Sequence, residues 1–98
     1  MLIKIHRSYR NVVAICDNNL IGKKFEDGKK QLDVRESFYK GQEVELDELK
    51  RIMILQIKED STFNIIGKES IRTAIETGII SEEQVRKVAN IPFALTLI

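Results

Sequence analysis

From Asn64 onward the chain is punctuated in a way that few folds accommodate. Ile71, Ala74 and Ile75 have the i, i+3, i+4 spacing of one helical face and predict a helix from about Lys68 to Thr77. Gly78 stands where that helix must stop, because glycine enters the left-handed C-cap conformation without a steric penalty. Ser81 and Gln84 have the spacing of a capping box. Val85, Val88 and Ala89 repeat the helical spacing, so a further helix is predicted after Ser81. Pro92 ends it, and the apolar stretch Phe93 to Ile98 reads as a final strand. The link Gly78-Ile79-Ile80 is too short and too apolar for a loose linker, so the two helices should form a tight corner.

Upstream, Val12-Val13-Ala14-Ile15-Cys16 is an uninterrupted apolar run. A strand with one wet face alternates apolar and polar residues, so this run predicts a central strand covered on both faces. Residues 2–7 read as its neighbour, joined at Ser8-Tyr9-Arg10. With Tyr9-Arg10 as a two-residue turn, positions summing to 19 face one another. Asp17-Asn18-Asn19 is a turn signal. Leu20-Ile21-Gly22 and Lys29 to Val34 read as extended pieces with a tight turn at Asp27-Gly28 between them, and Phe38-Tyr39-Lys40-Gly41 as a loop.

Leu49, Ile52, Met53, Gln56 and Ile57 predict a helix from Asp47 to about Lys58, with the Asp47 charge favoured at its start. Ile54 and Leu55 widen its apolar face, which predicts deep burial. Glu59-Asp60-Ser61 ends it. Thr62 to Ile66 fits either a short strand or an extended entry to the next helix. Together these elements predict one α+β domain over residues 1–98, a mostly antiparallel sheet of four to five strands with three helices packed on it.

Composition excludes several classes. With 43 % apolar and 32 % charged residues in 98, the chain is globular rather than disordered. Cys16 is the single cysteine, so no intramolecular disulfide forms, and the chain reads as a reduced, cytoplasmic protein. The start, Met1-Leu2-Ile3-Lys4-Ile5, has no long apolar signal region, and no run approaches the roughly 18 apolar residues of a membrane span. His6 and Cys16 alone cannot build a structural zinc site. No metal and no cofactor is expected.

Net charge is +1, but its distribution is uneven. Residues 1–40 carry nine Lys/Arg against five Asp/Glu, and residues 41–98 carry seven against ten. The basic excess centres on Lys23-Lys24 and Lys29-Lys30. With Arg35 and Tyr39, and with Phe25, Phe38 and Lys40 nearby, these residues form a candidate single-stranded RNA surface. Lysines would meet phosphates while rings stack on bases. The ordinary alternative is a lysine-rich solvated turn.

Gly67-Lys68-Glu69-Ser70 lacks the second glycine and the adjacent hydroxyl of a nucleotide-hydrolysing loop. Gly67 and Lys68 still stand at a predicted helix start, where free amides hold anions. His6 and Cys16, three residues apart on the predicted register, would be separated by roughly 10 Å at about 3.3 Å per residue, too far for a nucleophile pair. Cys16 reads as a small buried residue. Carboxylate pairs fall at helix ends and loops, and no catalytic residue is assigned.

The order and spacing of several short pieces resemble an uncharacterised archaeal family catalogued as domain of unknown function 424. The pieces are Cys16-Asp17, Leu20-Ile21-Gly22-Lys23, Phe38-Tyr39 with Gly41, Asn64, Gly67, Ala74-Ile75, Gly78-Ile79-Ile80 and Ile91-Pro92. The family carries a histidine after the proline, where this chain has Phe93, which argues against any mechanism resting there. The resemblance implies a small cytosolic archaeal protein associated with translation genes, and it brings no activity. The leading expectation is therefore a non-enzymatic binding module, RNA- or ribosome-associated in archaeal translation. The alternative is a protein-interaction module or homodimer using the apolar corner at Ile79, Ile80 and Ile91. The third is an enzyme built on Cys16-Asp17 and Asn64.

Overall fold

The computed structural model describes residues 1–96. Its main sheet has six strands: β1 (Leu2–His6), β2 (Val12–Cys16), β5 (Gln42–Glu43), β6 (Thr62–Ile66), β7 (Arg86–Val88) and β8 (Ile91–Thr96). Their spatial order is β5-β1-β2-β6-β8-β7. A separate hairpin is formed by β3 (Lys24–Asp27) and β4 (Lys30–Asp33). The helices are α1 (Glu36–Tyr39), α2 (Leu46–Lys58) and α3 (Lys68–Glu76). The fold is α+β, as read from the sequence, but the sheet is larger than four to five strands and is mixed. β2 and β6 run parallel, and the other neighbours are antiparallel.

The apolar run at β2 is explained by its central place in the sheet. Val13 and Ile15 point to one face, where they meet Leu49 and Met53 of α2 and Ile71 and Ala74 of α3. Ala14 and Cys16 point to the other, where Leu20, Leu32, Val34 and Tyr39 cover them. Both faces are dry at this strand, so it needs no polar alternation. The molecule is thus layered: helices, sheet, then hairpin with α1. Residues 97–98 of the predicted final strand lie outside the described residues.

Several expectations are corrected. The β1–β2 register sums to 18, with Leu2 opposite Cys16 and His6 opposite Val12, because the connection is a longer loop than a two-residue turn. Phe38-Tyr39 belongs to the one-turn helix α1 rather than a loop. Its carbonyls are held from β1: Lys4 Nζ donates to Ser37 O at 2.8 Å, and His6 Nε2 lies 2.8 Å from Phe38 O with its ring stacked on Phe38.

The helix predicted after Ser81 does not form. Ser81 N donates to Gln84 Oε1 at 2.8 Å, and the box starts only one 3₁₀ turn, Glu82–Gln84. The chain then enters β7 and reverses at Ala89 and Asn90, both at positive φ (50° and 65°), to pair Val88 with Ile91. Two central residues with positive φ make the type of turn whose twist matches a hairpin. Three residues at helical spacing were outweighed by this turn and by Val88 filling the second core. Pro92 accordingly lies within β8.

The end of α3 is as predicted. Gly78 has φ 83°, Gly78 N donates to Ile75 O, and Ile79 N donates to Ala74 O, both at 3.0 Å. These are the two bonds of a Schellman cap, which a left-handed residue at this position makes available. Gly78→Val forces a β-branched side chain into that conformation. It should destabilise the domain by more than about 1 kcal/mol, read as a lower urea midpoint at unchanged slope.

Candidate functional site

The predicted basic residues lie on or beside the β3–β4 hairpin. Phe25 and Leu32 face each other across it and turn inward onto the second core, so the opposite face is left to solvent. Lys23, Lys24, Lys29 and Lys30 are all exposed. None of the four side chains has an ion-pair or hydrogen-bond partner among the described residues. The hairpin also carries acids. Glu26 accepts a bond from Gln31 Nε2, and Asp33 binds Arg35 Nε at 3.0 Å. Pairing places Lys24 opposite Asp33 and Lys30 opposite Asp27, so the two lysines alternate between the ribbon's faces.

Tyr39 is not part of this surface. It is 6 % exposed, packed edge-on against Phe38, and burial, with Cys16 beside it, pushes its hydroxyl up to about 12. One basic residue escaped the sequence reading. Both hairpin strands lie against β7, whose exposed Arg86 shares the hairpin-side face with Val88, while Lys87 points to the α3 side. Reading residues 85–89 as a helix separated Arg86 from the hairpin. The usable signal was Asn90, a turn residue after a short β-branched segment.

The start of α3 is arranged differently from a free anion site. Asp17 follows β2, and its backbone N–H continues the parallel ladder to Ile66 O at 3.1 Å. Its carboxylate reaches across to α3: Oδ2 accepts from Glu69 N at 3.2 Å, and Oδ1 accepts from Ser70 N at 2.9 Å and Ser70 Oγ at 2.7 Å. An internal carboxylate therefore occupies the place where Gly67 and Lys68 were expected to hold an external anion. Gly67 is required there. Its φ is 113°, and a Cβ would lie 2.3 Å from Asp17 Cγ. Lys68 is exposed at the rim of a cleft of about 480 Å³, lined also by Asn19, Leu20, Ile91 and Pro92.

The residues of the enzyme reading are Cys16, Asp17 and Asn64. Cys16 is fully buried, and burial, reinforced by the Asp17 charge, pushes its thiol up to about 11. Asn64 stands opposite Ala14, and the cleft at Asp17 is lined by neither Cys16 nor Asn64. The apolar corner is mostly closed as well: Ile80 is buried, and Ile79 and Ile91 are half-buried against the two cores. Phe93 packs beside the second core. Among the described residues no helix is long and apolar enough to cross a membrane, and no cluster of three metal-ligating side chains occurs.

A mixed sheet with helices on one face and a lysine-bearing hairpin on the other defines a small α+β protein with a basic ribbon. The chain belongs to the family described as "Protein of unknown function (DUF424)", whose model matches residues 6–97. It is similar in fold to the crystal structure of an uncharacterized conserved protein from Methanopyrus kandleri. The TM-score is 0.87 at 22 % identity, covering 97 % of this chain and 88 % of that one. No curated protein matches the sequence.

Two outcomes follow from this geometry. Asp17→Ala strips partners from the buried Ser70 amide and hydroxyl and should destabilise the domain by about 2–3 kcal/mol. Gly67→Ala should be less costly in the Asp17→Ala background than in the wild type, since the clashing carboxylate is gone. A double-mutant cycle by urea unfolding reads this, and additive costs would contradict the contact.

Cys16 and Tyr39 both hold their protons more tightly in the fold than their ordinary values of 9.0 and 10.0. Their neutral forms stabilise the fold fully below pH 9, and that contribution is lost as pH rises toward about 11 and 12. The urea midpoint should fall across this window, and less steeply for Tyr39→Phe.

Proposed function

We propose that this protein is a non-enzymatic binding module, RNA- or ribosome-associated in archaeal translation, and that the β3–β4 hairpin is its working surface. The observation that carries the reading is the set of four exposed lysines with no internal partner. A surface lysine already in an ion pair must break it to meet a phosphate, whereas Lys23, Lys24, Lys29 and Lys30 meet one at no such cost. Arg86, on the face of β7 that carries Val88 into the second core, extends the basic surface, while Lys87 points to the opposite side beside α3.

With Tyr39 buried and Phe25 turned inward, no ring among the predicted set is free to stack on bases. Recognition through this hairpin is thus by backbone charge, with little base preference. The interleaved Glu26, Asp27 and Asp33 keep the ribbon from being uniformly basic, which favours a defined path for the phosphates over general adhesion.

Each engaged lysine releases condensed counterions, so affinity for single-stranded RNA should fall with salt at a log–log slope of about −0.7 per contact. Lys29→Ala with Lys30→Ala should weaken binding and flatten that slope by about one unit or more. Stability should move by less than about 0.5 kcal/mol. A salt titration of oligonucleotide affinity for both proteins makes the test. Equal slopes, or no binding at low salt, would remove the hairpin as an RNA site.

A further inference from the structure

The outer face of α2 departs from what its sequence predicts. Ile54 and Leu55 belong to an apolar stretch expected in the core, yet they are 48 % and 54 % exposed. Leu49 and Met53 take the buried side, and Ile54 and Leu55 are turned out with Asp47, Arg51 and Lys58. Positions 47, 51, 54, 55 and 58 recur at spacings of three and four and form one stripe along the helix. Its three charges have no ion-pair partner within the described residues, although Lys50 on the flank is paired with Glu76. Exposed branched side chains beside unpaired charges, in a stripe of this spacing, have the composition of a helix–helix contact.

The order of the charges selects the occupant. The stripe runs acid, base, apolar pair, base from the N-terminal to the C-terminal end. We propose that a second copy of this chain covers it, α2 against α2, antiparallel about a two-fold axis midway between positions 47 and 58. Asp47 then meets the partner's Lys58, and Lys58 meets the partner's Asp47. Ile54 and Leu55 lie against the stem of the partner's Arg51, whose aliphatic carbons cover apolar surface. The same patch serves both copies, as a two-fold contact requires. An RNA would not select this face, since Asp47 and Glu48 stand at its start. A single 13-residue helix gives a small interface, so association falls in the range of about 10 μM to 1 mM.

Sedimentation equilibrium of the full chain from about 10 μM to 2 mM tests this. The weight-average mass should rise from 11.3 kDa toward twice that value, and Ile54→Asp should hold it at the monomer. Asp47→Lys and Lys58→Asp should each weaken self-association by about tenfold or more, because both ends of the two-fold contact then carry like charges. An equimolar mixture of these two variants should regain dimers, since each supplies the charge the other lacks. A wild type that stays monomeric at the highest concentration overturns the proposal. So does a dimer indifferent to Ile54→Asp, or a mixture that does not recover. Should a variant unfold by circular dichroism, the wild-type series together with Leu55→Lys decides.

Discussion

The carboxylate of Asp17 is the contact on which the remaining arrangement depends. It lies at the point where β2 ends and α3 begins, two elements joined by no short stretch of chain. By accepting from Glu69 N, Ser70 N and Ser70 Oγ, it satisfies amides that a buried helix start would otherwise leave without partners. α3 can then lay Ile71 and Ala74 onto the sheet next to Val13 and Ile15. Gly67 makes the approach feasible by presenting no side chain to that carboxylate. The same contact bears on function. The position where a parallel strand pair meets a helix start commonly receives a ligand's anion, and here the protein's own anion fills it.

The two surfaces singled out for binding lie on opposite sides of the sheet. The hairpin belongs to the layer over Ala14 and Cys16, and α2 to the layer over Val13 and Ile15. Pairing through α2 therefore leaves both hairpins uncovered. Were each hairpin to bind phosphate as proposed, two on one particle would bind a single RNA more tightly than either alone when the strand spans both, because the second contact becomes intramolecular. Of the residues of the enzyme reading, Cys16 is buried and Asp17 is held by the start of α3.

Much of the fold was legible where local chemistry and tertiary context agree. β2 announced itself by an unbroken apolar run, α3 by its stripe and its glycine stop, and α2 by its spacing. Pairing partners were less visible. Nothing in Thr62 to Ile66 signals that it lies parallel to Val12–Cys16, because that choice rests on contacts between segments far apart in sequence. Val85, Val88 and Ala89 were misread because three residues cannot separate a helical period from an edge strand. Of the candidate site, the lysines were readable as exposed turn residues. Tyr39 was not readable as buried, because its burial depends on a hairpin folding over it. The Asp17 contact was hidden for the same reason: it joins residues 52 and 53 positions apart.

Native-state hydrogen exchange at the Ser70 amide tests the central claim most directly. If the Asp17 carboxylate is seated on α3, this amide opens only when the whole domain unfolds, and its protection free energy equals the global unfolding free energy. Exchange at a rate near that of an exposed loop amide would contradict the account. It would mean that the carboxylate is free, and that the start of α3 is open to an outside ligand.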